Sequence, residues 1–330
     1  MVDRPLIALT GATGFVGRQL LRDRTQNSVP VRALARMQPH RKLTDGNGIE
    51  WISGDLSSDA ALSSLVSNAD IVIHLAGATK ARNASVFREV NALRTAELVR
   101  RAQAAGVQHF VHVSSLTASR PDISAYAKSK AESEILAAEN AGSMALTIVR
   151  APAILGPGDD ATRSLFSALA RGILPVPGGA AGAFRFSVID VLDTARFLMT
   201  LANSRTGGIR TLSPASHLNL GWSDIAQSAE RVTAKRMHRI VFPAALMKMA
   251  GHGADLAVKL GATPQVFSRG KVDELLSGDW IGDTQVPNPI PLDETLERCL
   301  APFLRSARGL GEQERSEQTD DLKNRSNRDL

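Results

Sequence analysis

Residues 6–17 read Leu6-Ile7-Ala8-Leu9-Thr10-Gly11-Ala12-Thr13-Gly14-Phe15-Val16-Gly17. An apolar run of strand character ends in a glycine-spaced turn, and a helix-forming pattern follows. A chain that turns sharply from strand to helix aims the unpaired N–H groups of the helix beyond the strand end, and a dinucleotide pyrophosphate is an anion suited to them. Gly11 can take backbone angles that a side chain would forbid, Gly14 lets the main chain approach a phosphate, and Gly17 lets the helix pack closely on the sheet. The competing reading is a glycine-rich turn with no ligand, and spacing by itself does not separate the two.

Outward from this turn, apolar runs alternate with helical patterns through the first half of the chain. Strands are expected near Leu6–Leu9, Val31–Leu34, Ile49–Ile52, Ile71–Leu75, Phe110–Val113 and Leu146–Val149, with helical stretches such as Val90–Ala105 and Ser124–Ala138 between them. The alternation predicts an α/β fold, a doubly wound parallel sheet of Rossmann type, over residues 1–152. Beyond Arg150 the pattern is broken by Pro152, Pro157, Pro175, Pro177 and Gly178-Gly179, which mark turns where a pocket can be built. A smaller C-terminal α+β substrate-binding region is expected over 153–308, with a strand at Phe184–Val188, a helix at Val191–Leu201 and a strand at Ile209–Leu212, the last two able to return to the core. Pro243 opens a helical, apolar stretch that continues to Leu260. Its interior Gly251 and Gly253 argue against one uninterrupted helix. Its sparse basic residues favour a packing or lid role over peripheral membrane contact. Residues 309–330 are rich in polar residues and read as a disordered tail.

A chain of 330 residues with 43% hydrophobic content can bury a substantial core. The formal charge of +6, from 39 basic and 33 acidic residues, comes without a basic stripe interleaved with aromatics, so nucleic acid is not an expected partner. A small, anionic molecule suits the excess better. Cys299 is the single cysteine, which excludes an intramolecular disulfide and a Cys-rich metal site; no metal is expected. The first strand begins close to Met1 and no charge-free run reaches bilayer length, so the expectation is a soluble, cytoplasmic protein without a transmembrane segment. A homodimer is left open.

Tyr126 and Lys130 stand four positions apart in a helix-forming segment, so both project from one face. An unperturbed phenol, with a pKa of about 10, is a poor base at neutral pH, but a neighbouring ammonium stabilises its phenolate. Such a phenol can exchange a proton with a substrate hydroxyl or carbonyl while a hydride moves to or from a nicotinamide. Ser114 and Ser115 end the Phe110–Val113 strand, at the edge where open parallel sheets bind ligands, and Ser115 is the hydroxyl placed to hold the reacting oxygen. The bland reading is that both serines satisfy loop backbone groups and the Tyr126–Lys130 spacing is chance. Tyr126 is the only tyrosine in the chain, and its occurrence in this cluster weighs against chance.

With these motifs in place, the chain resembles the short-chain dehydrogenase/reductase superfamily, in its extended or atypical NAD(P)-dependent epimerase/dehydratase-like branch. The resemblance rests on Thr10 to Gly17, Gly54-Asp55-Leu56, His74-Leu75-Ala76-Gly77, Val90-Asn91 with Thr95, Val113-Ser114-Ser115, Tyr126 to Lys130, and Arg150-Ala151-Pro152 leading to Gly156-Pro157-Gly158. It is specific to about residue 160 and general beyond. It implies Tyr126 as acid/base, Lys130 as the group that lowers its pKa and binds the nicotinamide ribose, and Ser115 as the group orienting the substrate oxygen. It also implies that Gly11, Thr13, Gly14, Phe15, Val16 and Gly17 receive the dinucleotide, that Asp55 beside Leu56 takes the adenine amino group, that Leu75, Ala76 and Gly77 line the coenzyme, and that Asn91 serves the active-site architecture. Asp55 also fits an ordinary turn or cap, and His74 fits a structural strand-end histidine.

Two departures separate the chain from nucleotide-sugar epimerases. Ser115 and Tyr126 are only eleven positions apart, and Arg94 stands where the family often has Gly before Thr95. At the end of the second strand Ala35 replaces the acid of NAD-preferring members and Arg36 follows, which suits the 2′-phosphate of NADP, with NAD as the other option. Arg36 also fits a solvated surface residue. The leading functional expectation is an oxidoreductase acting on a secondary alcohol or ketone. The alternatives are a nucleotide-sugar epimerase or dehydratase and a redox-silent dinucleotide-binding sensor or structural subunit.

Overall fold

The computed structural model describes residues 4–23, 29–37, 48–202, 204, 207–265 and 267–305. The tail expected over 309–330 lies outside the described residues.

Parallel strands form from short apolar-rich runs, near-continuous and buried on both faces in the middle of the sheet. These are β1 (Ile7–Thr10), β2 (Val31–Ala35), β3 (Ile49–Ser53), β4 (Ile71–His74), β5 (His109–Ser115) and β6 (Ala145–Ala151). The short strands β7 (Ala153–Leu155), β8 (Ile173–Pro177) and β9 (Phe186–Asp190) follow, and then β10 (Ile209–Leu212) returns to pair in parallel with β6. The resulting seven-stranded sheet has the order β10-β6-β5-β4-β1-β2-β3. Strand order reverses between β1 and β4, and the turn that follows β1 opens at that switch point, where open α/β sheets leave a crevice for ligands.

Helices follow the strands along the chain, and some of them cover the two faces of the main sheet. They are α1 (Phe15–Asp23), α2 (Asp59–Val66), α3 (Ala84–Arg88), α4 (Arg94–Ala104), α5 (Ala125–Asn140), α6 (Arg163–Ala170), α7 (Val191–Ala202), α8 (Trp222–Thr233), α9 (Ala244–Lys259) and α10 (Arg269–Leu275). Alternation along β1 divides the core in two. Ala8 packs with Val72, Phe110 and Leu146 under α2, α4 and α5, whereas Ile7 and Leu9 pack with Ile73 and Val111 under α1 and α7. The expected Val90–Ala105 helix is present, but it opens in a π-helical turn, Glu89–Leu93, before α4 begins.

The remaining strands, β11 (Pro214–Ala215), β12 (His217–Leu220), β13 (His238–Phe242) and β14 (Thr284–Gln285), build small sheets beyond the main one: β12-β9-β7, β13-β8 and β11-β14. A third core joins α6, α8 and a helix over 292–305, with Phe166, Leu174, Ile225 and Leu296 buried inside it. One sequence expectation fails here. Helix α9 runs unbroken through Gly251 and Gly253. Gly251 is the helix's one buried residue, and a Cβ there would lie 2.9 Å from the Arg269 Cα, so the glycine permits α10 to approach rather than ending the helix.

Candidate active site

In a parallel sheet all carboxyl ends share one edge, so the segments after successive strands lie side by side. Following the strand order β5-β4-β1-β2-β3, that edge presents Ser115, then Leu75–Gly77, the Gly11–Gly17 turn, Arg36, and Asp55 with Leu56. Gly11 has φ +70°, and a Cβ on it would lie 2.8 Å from the Ala76 nitrogen. A Cβ on Gly17 would lie 2.2 Å from the Gly11 carbonyl oxygen, so the turn closes directly onto α1. Thr13 and Gly14 stay exposed at the helix start while Phe15 and Val16 are half-buried. This cradle, which opens at the start of α1 and has no side chain at position 14, fits a pyrophosphate.

At the far end of the edge, Ala35 is buried and Arg36 is exposed. Asp55 Oδ1 accepts hydrogen bonds from the Ser57 N–H at 2.8 Å and the Ser57 hydroxyl at 2.6 Å. These bonds hold its carboxyl below the usual range, and the Arg36 and Arg94 guanidinium groups add to the effect. Asp55 therefore closes a turn with one oxygen, and its exposed position leaves the carboxylate open to the solvent side.

His74 is wholly buried and structural in its contacts. The Ala76 N–H donates to Thr10 Oγ1 (3.2 Å), whose own proton goes to His74 Nδ1 (2.7 Å). Nε2–H in turn donates to Thr95 Oγ1 (2.9 Å), and Thr95 donates to the Asn91 carbonyl (2.7 Å). Burial, with the Lys130 charge adding, holds the imidazole pKa to about 3, so the ring is neutral. Asn91 sits in the π-helical turn and clamps the loop after β4. Its Oδ1 accepts from the Ala78 N–H at 2.7 Å, and its Nδ2 donates to Ala78 O and to Ser129 Oγ, each at 3.0 Å. Ser129 passes the restraint on by donating to the Tyr126 carbonyl at 2.7 Å.

Helix α5 is started by Ser124, whose Oγ accepts from the Ala127 N–H at 2.9 Å. Its first turns carry Tyr126 and Lys130. The Ser115 hydroxyl accepts from Thr117 Oγ1 at 2.9 Å and lies near enough to the Tyr126 phenol to favour its ionised form. Ser114 points the other way and donates to Glu134 at 2.5 Å, beside the Arg150–Glu134 ion pair at 2.6 Å. Lys130 is buried and its Nζ donates to the Val113 carbonyl at 2.9 Å. Burial pulls its pKa down to about 8 against the opposing pull of Glu134.

The residues that sequence reasoning missed come from α10. Lys271 Nζ lies 5.6 Å from the centre of the Tyr126 ring. It is paired at 2.8 Å with Glu274, which also accepts from the Ser124 hydroxyl at 2.6 Å. Burial raises the phenol pKa above its ordinary value; Lys271 and the neighbouring Ser115 hydroxyl draw it down, and Glu274 raises it. A cleft of about 1250 Å³ opens beside the phenol, between α3, α5 and the α9–α10 arm, with Phe87, Ile123, Ala257 and Val258 among its walls. Phe87 meets the Tyr126 ring edge-on at 5.8 Å. Nothing in the local sequence around Lys271 marks it; only the fold brings it to the tyrosine.

A parallel sheet with a glycine cradle at its switch point, and a Ser–Tyr–Lys set on the neighbouring strand end and helix, is the framework of a dinucleotide-dependent enzyme. The chain belongs to the NAD dependent epimerase/dehydratase family, whose sequence profile matches residues 7–212. It is an enzyme of the extended short-chain dehydrogenase/reductase type, with NAD(P)-dependent oxidoreductase or epimerase chemistry. It is 36% identical over 292 residues to a ceramide reductase of Caulobacter vibrioides, covering 88% of this chain and 89% of the relative. It is 28% identical to sterol demethylase protein B of Methylococcus capsulatus, covering 73% and 78% of the two chains. The UDP-glucuronic acid 4-epimerase of Bacillus cereus, solved with NAD, shares the fold with a TM-score of 0.66 at 17% identity, covering 92% of this chain and 99% of that one.

Proposed function

We propose that the protein reduces a ketone on a long-chain lipid of the ceramide class to a secondary alcohol, at the expense of NADPH. The observation that carries the reading is the placement of Tyr126, beside Ser115 and faced by Lys271, on the wall of a roomy cleft to which α9 contributes Ala254, Ala257 and Val258. Similarity to the ceramide reductase over nearly the whole of both chains supports the lipid class. The short Ser115–Tyr126 interval weighs against a sugar nucleotide.

When bound, the coenzyme supplies the hydride to the carbonyl carbon. The Gly11–Gly17 turn holds its pyrophosphate, Leu75, Ala76, Gly77 and Asn91 shape the groove, and Asp55 and Leu56 close the adenine end. Arg36 meets the 2′-phosphate, an assignment supported by the missing acid at Ala35. Ser115 donates a hydrogen bond to the carbonyl oxygen, and Tyr126 gives that oxygen its proton as negative charge develops there. Lys271 stabilises the phenolate left behind. Lys130, freed from the Val113 carbonyl, reaches the nicotinamide ribose.

The test is turnover of a ceramide bearing a ketone in place of its secondary hydroxyl, followed by absorbance of the reduced nicotinamide and by product chromatography. One reduced coenzyme lost per alcohol formed supports the proposal. Product without net loss assigns the chain to the epimerase reading, and coenzyme binding without any turnover to the redox-silent one.

A further inference from the structure

The C-terminal region carries an apolar surface that no described residue covers. Every residue of β13 is exposed, including Ile240, Val241 and Phe242. The chain turns at Pro243 into α9, where Leu246, Met249, Leu256 and Leu260 follow at intervals of three, seven and four residues. That spacing is one helical face. The four side chains are 57, 69, 56 and 80% exposed. Residues 306–330 offer only three leucines as large apolar side chains, so the sequence there has no matching face.

Charge accompanies the apolar stripe. Between Ala234 and Leu260 the chain has five Lys or Arg and a single acid, Asp255. Arg239 lies within β13, and Lys248 borders the stripe on α9. Apolar side chains bordered by cations suit the headgroup boundary of an anionic bilayer. Among the described residues no helix is long and apolar enough to cross a membrane, so the contact is with the surface. The opposite face of α9 supplies Ala254 and Val258 to the cleft beside Tyr126. One helix thus separates the cleft from the apolar exterior. In sequence the helix reads as a packing element or lid; the fold shows that this accounts for one face only.

We infer that β13 and the outer face of α9 dock the enzyme on an anionic lipid bilayer, placing the mouth of the cleft where a membrane-resident substrate can enter. The inference deepens the lipid-ketone reading and rests on it for the purpose of docking, although the docking itself is measured without substrate.

The experiment is co-sedimentation of the full chain with vesicles of phosphatidylcholine alone or mixed with phosphatidylglycerol. Binding is expected to the mixed vesicles and to weaken with salt. It should fall roughly tenfold or more in Leu246→Glu/Met249→Glu and in Arg239→Glu/Lys248→Glu. Unchanged thermal melts and unchanged reduction of a short, water-soluble ketone show that these variants are folded. Failure to bind either vesicle, or binding indifferent to both variants, overturns the proposal. So does a wild-type dimer that either variant converts to a monomer, since a second copy would then cover the stripe. Vesicle binding with no turnover of a lipid ketone leaves docking standing and removes the substrate assignment; turnover without binding does the reverse.

Discussion

Lys271 Nζ stands 5.6 Å from the centre of the Tyr126 ring, so the cation that faces the phenol comes from α10, while Lys130 on the phenol's own helix donates to the Val113 carbonyl. The proposed mechanism therefore divides between two lysines a task that the sequence assigns to one. Lys271 is partly solvent-exposed, which limits its electrostatic reach. Lys271→Met is expected to raise the pKa seen in the pH profile of kcat and to lower turnover at neutral pH by roughly three- to tenfold. Lys271→Arg should restore the profile, whereas turnover of the Met variant should not recover as pH rises, because ketone reduction uses the protonated phenol and its high-pH limb only moves further up.

Removal of the phenolic hydroxyl alone gives a cleaner division between chemistry and binding. Tyr126→Phe keeps the ring against Phe87 and should lower kcat by about 10²- to 10⁴-fold. Coenzyme affinity measured by calorimetry should stay nearly constant, because the cradle at Gly11–Gly17 is untouched.

Arg36 is exposed beside a buried Ala35 at the end of β2, and the proposed NADPH preference assigns it the 2′-phosphate. Arg36→Ala should weaken NADPH by roughly tenfold, the value of a charge-assisted phosphate contact, and leave NADH within about twofold. Equal losses for both coenzymes would remove Arg36 from phosphate recognition.

The buried histidines make stability sensitive to acid. Burial holds His74 to about 3 and drives His112 well below its ordinary value, whereas both take up protons near 6.5 once unfolded. The unfolded chain then binds more protons, so this stability is complete above pH 6.5 and is lost as pH falls toward 3. In denaturant titrations between pH 4.5 and 6.5, His74→Gln should flatten the slope of stability against pH by up to about 1.4 kcal/mol per unit. An identical slope would show that His74 is protonated in the fold.

The central sheet was legible because its inner strands are buried on both sides and its first turn must be glycine at two positions where a Cβ would strike backbone. The edge holding Ser115, Leu75–Gly77, Arg36 and Asp55 followed from that sheet, since parallel strands bring their carboxyl ends together. Lys271 and Glu274 were not legible. They lie 145 and 148 residues beyond Tyr126, and no periodicity connects them to it. Gly251 misled for a related reason: a glycine inside a helix looks like a break until the α10 backbone that needs its missing Cβ is in view. The Ser114–Glu134–Arg150 cluster was equally hidden, because the strand end shows two serines and only packing decides which one faces inward.

The account turns on direct hydride delivery to a carbonyl held at Tyr126. The most direct measurement supplies NADPH deuterated on the transferring face of C4 and follows the lipid product by mass spectrometry. The account predicts one deuterium on the carbinol carbon of every alcohol formed, with one coenzyme oxidised. Alcohol that carries no label, or a changed product accompanied by undiminished reduced coenzyme, would contradict it.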